Sequence, residues 1–385
     1  MSFAPRILFV MRRFWPLAND HVWRVLQMAS ELQLAGWKPE ILTAQWHSAW
    51  PPHVELREFE VHRLPPSPST PFRSRRYARN LTDWIARSGG TYDAIVVDAI
   101  DDDAVSLTAT KSFDGPPVIV RYDALENSRP LHERTHTRVV TACHSAAQLI
   151  VPHDHARREL VAAGIAASRI EVIPDFIPPR RVVDERARSA ARRALADINH
   201  ELFLRADDRL IVCPTELNKF AGLELLILAI GPILEARRDL RCWIVGEGPE
   251  RGRAYELLRK EGWHHDILMP GTFEDVDTVL SAADLCILPG SVQGLSWLIP
   301  AAVTRDLTTI FCDSDAARAR FGSGVERLTF SHGNTLELRS KIESWLSDPT
   351  SFQSPTRTIA DRLLSNQRSI ETWRQLLGRL ERMRK

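Results

Sequence analysis

Residues 243–251, WIVGEGPER, and residues 267–296, ILMPGTFEDVDTVLSAADLCILPGSVQGLS, carry the pattern that decides the fold. Three short apolar runs, Trp243–Val245, Ile267–Met269 and Leu285–Leu288, pass directly into Gly or Pro-Gly, and the residues between them have helical spacing. Buried parallel strands that end in tight turns have this appearance. In an open α/β sheet the ligand crevice lies outside the carboxyl ends of the strands. Gly246, Gly248, Gly271, Gly290 and Gly294 all fall there. A turn without a Cβ permits a tight bend of the chain or a close approach of backbone to a ligand. Helices beginning near Glu250, Asp275 and Leu295 would point N–H groups at an anion. The series together reads as one side of a binding crevice.

The same alternation extends in both directions. Upstream, Leu210–Pro214 starts a Rossmann-like unit, followed by the loop TELNKFAG, a helix over Leu223–Glu235 and a strand over Arg241–Val245. Downstream, Thr308–Phe311 and Arg327–Phe330 read as strands, Thr335–Leu346 as a helix, and a long final helix runs from about Thr356 to Arg384. The stretch IPDFIPPRRVVDERARSAARR (Ile173–Arg193) changes composition and reads as an interdomain linker. Its basic run is either a solvated helix face or a surface lying on anionic lipid. In the first half, Arg6–Met11, Glu40–Ala44, Ala94–Val97, Val118–Val120, Leu149–Val151 and Ile170–Ile173 read as strands of one parallel sheet. Val54–Leu64 alternates like a single exposed strand. His21–Ala35 and Arg75–Arg87 read as helices, and PPSPSTPF (Pro65–Phe72) as a loop that cannot join a ladder.

Composition narrows the class. A chain of 385 residues, at roughly 150 per domain, makes two domains with full-sized cores. The 44% hydrophobic and 26% charged content belongs to a soluble globular protein, and a net charge of +1 argues against a general nucleic-acid binder. Five cysteines show no CxxC spacing, and most lie in apolar runs, which predicts reduced core thiols in a cytoplasmic protein. Ile7–Met11 is too short for a signal peptide, and no apolar run reaches the ~18 residues of a membrane span. Asp101-Asp102-Asp103 reads as carboxylates at a helix start, where they cap and oppose the dipole. His132 and His136, and the cluster His153-Asp154-His155, lack further ligands at a recognisable spacing, so no metal site is expected. There is no nucleophile elbow and no Walker loop.

Two Rossmann-like halves, a Pro-rich hinge and a C-terminal helix able to cross back resemble the GT-B fold. The second half resembles the retaining glycosyltransferases of family 4. WIVGEGPER is similar to that family's "vGdGpeR" element and Pro270-Gly271-Thr272-Phe273 to its "flG" turn. The segment Leu288-Pro289-Gly290 with Gln293-Gly294-Leu295-Ser296 sits where the family has "lPS…EGfg". Arg157–Ile177 resembles "eLvaaGi…ki.vIPNGvd", and Pro16–Trp37 resembles "P..GG…La..L..rGH". The resemblance implies an α/β GT-B protein with an acceptor-side domain over residues 1–178. A nucleotide-sugar domain would follow over 179–355, with a helix over 356–385 packing back on the first.

At the ligand-facing positions the chain departs from the family. The Arg and Lys that neutralise the donor diphosphate correspond to Glu216 and Ala221, with Lys219 two residues away. Two glutamates, with seven residues between them, that hold the donor sugar and the ribose correspond to Gln293 and Ala301. The paired glycines after the first strand correspond to Asn19-Asp20, and an expected histidine falls at Arg121-Tyr122-Asp123. What the resemblance implies is therefore a hexosyltransferase-like enzyme of polysaccharide biosynthesis. It would move sugar with retention from a nucleotide sugar to a glycan, lipid-linked or small-molecule acceptor, with neither metal nor cofactor. Gly246, Gly248 and Gly271 would meet the donor, Arg251 and Lys219 its diphosphate, and Gln293, Gly294 and Leu295 its sugar. Trp15, Asp20, Arg121 and Asp123 would face the acceptor. No residue is given a catalytic role. The alternative is a non-catalytic protein of the same fold that binds glycan or nucleotide or acts as a scaffold. Basic helices around Arg180–Arg193 and Arg374–Lys385 permit peripheral contact with the inner membrane face.

Overall fold

The computed structural model describes residues 4–17, 20–98, 102–108, 115–122, 141–290, 296–322, 324–365 and 369–384. Contacts divide the chain into two compact units. One comprises Met1–Phe14, Arg24–Phe176 and Arg368–Lys385; the other comprises Trp15–Trp23 and Ile177–Gln367.

The first unit is built on an eight-stranded sheet. Its strands are β1 (Arg6–Val10), β2 (Lys38–Ala44), β3 (His53–Leu56), β4 (Phe59–Leu64), β5 (Ala94–Val97), β6 (Val118–Arg121), β7 (Gln148–Val151) and β8 (Ile170–Val172). They are ordered β3-β4-β2-β1-β5-β6-β7-β8 and are parallel throughout except for the antiparallel edge pair β3–β4. The central runs are apolar without alternation because both faces of the sheet are covered. Residues 54–64, expected as one exposed strand, form a hairpin instead. Arg57 and Glu58 turn it with φ of 50° and 67°. A two-residue hairpin turn of that hand normally takes Asn or Gly, so nothing in the residue types marks it. The helix Pro71–Ser88 begins inside the expected loop. Thr70 caps it by accepting from the Arg73 N–H, and Pro71 sits at the first helical turn, where its missing N–H is not needed. Tyr77, Leu81 and Ile85, spaced one turn apart, bury its inner face against the strands.

One buried polar knot lies at the amino ends of these strands. Glu40 accepts from the Tyr92 hydroxyl at 2.6 Å and from Arg6 Nη2 at 2.5 Å, and His62 Nε2 lies 3.5 Å away. Burial raises the Glu40 carboxyl, but the hydrogen bonds from His62, Tyr92 and Arg6 outweigh it and hold the group down at about 2. A carboxylate depressed in the folded state stabilises above its ordinary value near 4.5 and loses that contribution as pH falls through about 2. The melting temperature is therefore expected to fall over that window in acid titration. Glu40→Gln should lower stability at neutral pH and flatten the fall.

The second unit holds a wholly parallel six-stranded sheet, ordered β11-β10-β9-β12-β13-β14. Its strands are β9 (Arg209–Pro214), β10 (Leu240–Val245), β11 (Ile267–Gly271), β12 (Leu285–Leu288), β13 (Thr309–Cys312) and β14 (Thr329–Phe330). Cys213, Cys242 and Cys286 are fully buried on adjacent strands, and burial pushes the Cys242 thiol up to about 12. The basic stretch read as a linker is part of this unit. Asp184 caps the helix Glu185–Ile198, and Arg188 and Arg192 clasp Asp284 at 3.1 and 2.7 Å. Arg180 pairs with Asp306 and Asp361. Arg180, Arg188 and Arg192 are thus engaged internally rather than forming a free basic face. The expected long final helix is resolved into two, Thr350–Ser365 and Ser369–Arg384. The first belongs to the second unit and the second to the first unit, where Trp373 and Leu376 are buried. No described helix is long and apolar enough to cross a membrane.

Candidate active site

The loops that leave the carboxyl ends of β9, β10 and β11 are joined by backbone hydrogen bonds into one rim. The Thr215 N–H donates to the Val245 carbonyl at 2.9 Å, Leu217 N–H to Glu247 at 3.0 Å, and Glu250 N–H to Leu217 at 2.9 Å. Gly246 N–H donates to Gly271 at 2.8 Å, which ties in the third loop. Packing this close requires residues without a Cβ. A Cβ on Gly246 would stand 1.8 Å from the Thr215 carbonyl oxygen, and one on Gly248 2.4 Å from that of Leu217. Gly222, with φ +68°, would press on the Pro289 carbonyl at 2.6 Å. At Gly246, Gly248 and Gly222, the space a side chain would need is filled by the protein's own backbone. Gly271 differs, since its nearest neighbour is the Glu247 carboxylate at 3.2 Å.

Arg251, expected opposite a diphosphate, is engaged within the rim. Its Nη1 lies 3.0 Å from Glu247 Oε1, and its Nη2 donates to the Met269 carbonyl at 2.6 Å. It clamps the glycine turn to β11. Lys219 is placed differently: it is exposed, its Nζ stands 4.9 Å from the Phe220 ring centroid, and among the described residues no carboxylate pairs with it. It lines a depression of about 560 Å³ at the start of the helix Leu223–Ala236, with Gly222, Arg253, Pro289, His332 and Thr335. Arg253 there is held by Glu224 at 3.3 Å and Glu250 at 3.9 Å, which leaves Lys219 as the uncompensated cation on that wall. Ala221 is buried. Ala301 lies fully buried in the short helix Leu298–Val303. Pro300 sits at the third position of that helix, among the first N–H groups that have no intrahelical partner, so it neither kinks the helix nor costs a bond. Gln293, Gly294 and Leu295 lie outside the described residues.

Of the acceptor-side residues, Trp15 and Asp20 group by contact with the second unit. There the Thr272 hydroxyl donates to the Pro16 carbonyl at 3.5 Å. Burial, reinforced by the nearby Asp20 charge, pushes the Cys286 thiol up. Asp123 lies outside the described residues, as do His132 and His136. Arg121, at the carboxyl end of β6, is only 4% exposed and sits between two carboxylates. Its Nη2 lies 2.9 Å from Asp175 Oδ1 and its Nη1 3.9 Å from Asp98 Oδ1, while Arg24 Nη2 approaches Asp98 Oδ2 at 2.8 Å. Arg24 and Asp98 were not singled out from sequence, since only the fold brings them to Arg121. Asp103 of the acidic triplet is fully buried and pairs with Arg12 Nη2 at 2.5 Å. Among the described residues no group of three or more His, Cys, Asp or Glu is arranged to hold a metal ion.

Two Rossmann-type sheets, the second with its loops gathered at the carboxyl ends of the strands, define a protein of the GT-B glycosyltransferase class. The sequence profile described as "Glycosyltransferase Family 4" matches residues 22–181, and that described as "Glycosyl transferases group 1" matches residues 208–348. The chain belongs to the group 1 glycosyltransferases. No curated protein sequence matches it. Among solved structures, HepE of Anabaena in complex with UDP and glucose is 14% identical, with a TM-score of 0.73 over 97% of this chain and 98% of that one. Sucrose-phosphate synthase of Thermosynechococcus elongatus is 16% identical, with a TM-score of 0.73 over 98% of each chain. The catalytic domain of starch synthase IV of Arabidopsis thaliana, bound to ADP and acarbose, is 13% identical, with a TM-score of 0.67 over 100% and 99%. At these identities the likeness is one of fold.

Proposed function

We propose that the protein transfers a sugar from a nucleotide-sugar donor to a glycan, lipid-linked or small-molecule acceptor, with retention and without a metal ion. One observation carries the reading. Lys219, without a carboxylate partner among the described residues, stands in a depression at the start of a 14-residue helix, beside a rim of bonded loops at the carboxyl end of the second sheet. A mobile ammonium beside unsatisfied helix N–H groups matches a diphosphate in charge and in hydrogen bonding. The solved structures with UDP, and the one with ADP, support a nucleotide diphosphate as the ligand class. In this reading Lys219 and the first turn of Leu223–Ala236 face the diphosphate, and Gln293, Gly294 and Leu295 run along the donor sugar. Arg251 and the glycines of the turn hold the rim that positions them. Trp15 and Asp20 face the acceptor. The reaction is assigned to the cytoplasm, and the basic residues of the last helix to contact with a membrane face.

Calorimetric titration with UDP-, GDP- and ADP-sugars, alongside an assay for nucleotide release, tests the reading. Saturable binding with release of the nucleotide is the expected result, and absence of any binding at millimolar concentration overturns it. Binding without transfer to any acceptor would assign the non-catalytic alternative. Lys219→Ala is expected to weaken nucleotide binding about tenfold, the lower end of what a charge-assisted contact contributes, because the group is exposed. Unchanged affinity would remove Lys219 from the site.

A further inference from the structure

A second cavity, of about 560 Å³, opens on the outer edge of the second sheet, where β11 has β10 on one side and, among the described residues, no strand on the other. Phe203 and Tyr255 line it with 67% and 49% of their surface exposed. Two large aromatic side chains left in water on the lining of one cavity offer flat apolar faces to a ligand. The cavity also carries polar groups, and their state limits what they bind. Arg241 Nη1 already donates to the carbonyls of Arg238 and Leu240 at 3.0 and 2.8 Å. Arg251, on the inner wall, is held by Glu247 and the Met269 carbonyl. Glu201 adds a carboxylate to the lining. Glu247, paired with Arg251, and Glu201 together match the two arginines in charge, so the site carries no net charge for an anion. His264 and His265 line the same wall, their ring centroids 4.0 Å apart, and among the described residues neither imidazole makes a hydrogen bond.

We infer that this cavity binds a neutral oligosaccharide. A pyranose ring has an apolar CH face that stacks on Phe203 or Tyr255, and hydroxyls that donate to and accept from imidazole and carboxylate. The volume lies within the range of small-molecule pockets. The lining carries no net charge to draw a phosphate. Arg251 belongs both to the glycine turn, through Glu247, and to the cavity, through Met269. Glycan held here thus lies on the far side of that clamp from the Lys219 depression, where it anchors an acceptor chain without taking part in the reaction. This role rests on the transferase reading; the binding itself does not.

Full-length protein titrated with maltoheptaose, cellopentaose and chitopentaose, with saturation-transfer NMR and calorimetry as readouts, tests the assignment. At least one probe is expected to bind the wild type. Phe203→Leu and Tyr255→Leu, which keep apolar bulk and remove the ring, are each expected to weaken that binding fivefold or more at an unchanged melting temperature and nucleotide affinity. If no probe binds, or if binding survives both substitutions, the cavity is not a glycan site. Loss of nucleotide binding with glycan binding intact would instead count against the donor site and leave this assignment standing.

Discussion

Gly246→Ala is expected to destabilise the second unit by about 3 kcal/mol or more, near the upper end of what forced overpacking costs. The added methyl carbon would stand 1.8 Å from the Thr215 carbonyl oxygen, a backbone atom that cannot swing aside. The bond from Thr215 N–H to the Val245 carbonyl, 2.9 Å long, fixes that backbone one residue before the glycine. Relief requires separating the loops after β9 and β10, so Lys219 would be displaced from the helix start as well. Urea denaturation should show the lower midpoint, and nucleotide affinity should fall with it. Gly262→Ala is the control. Gly262 has φ +83° and caps its helix, but no atom lies within 4 Å of its virtual Cβ. There only backbone strain counts, about 1 kcal/mol. If the two variants lose equal stability, the close approach of the loops is not what Gly246 provides.

The strands were legible because burial on both faces leaves unbroken apolar runs. β12 falls on the expected residues, and β10 begins one residue earlier than read. The hairpin at Arg57-Glu58 was not legible, because alternation continues through a turn whose residues do not favour positive φ. The glycines show the limit more sharply. Sequence locates where a Cβ is excluded but not by what, and at Gly246 and Gly248 the excluding atoms are carbonyls of residues 215 and 217. Arg251 is a partial case. Its partner Glu247 precedes it by four residues, a spacing that hydrogen-bonds readily at a helix start, so part of its engagement was readable. The substitution at Ala301 was plain in the sequence. Its complete burial was not, because a six-residue helix leaves too short a period to show an exposed face.

Asp98→Ala is expected to cost the first unit about 3–5 kcal/mol, the cost of leaving a buried charge without its partner. Asp98 directly follows β5 with its side chain fully buried, bonded to Arg24 at 2.8 Å and 3.9 Å from Arg121. Without it, the guanidinium groups of Arg24 and Arg121, each 4% exposed, lose the buried carboxylate they both face. Asp98→Asn, which keeps the shape and an acceptor oxygen, should lose less. Arg24→Met combined with Asp98→Ala should recover part of the loss, because the remaining Arg121–Asp175 pair is balanced. A double-mutant cycle in urea measures that recovery, and strict additivity of the two single changes would show that the alternating chain does not act as a unit. The same chain decides what Arg121 does at the carboxyl end of β6. A guanidinium bracketed by two carboxylates and closed off from solvent carries no charge to spare for an acceptor. Its work is to hold Asp98 and Asp175, and with them the carboxyl end of β5 and the segment that follows β8. Arg121→Lys, a point charge without the planar fork, is therefore expected to lower stability in the same titration while leaving nucleotide affinity in the second unit unchanged.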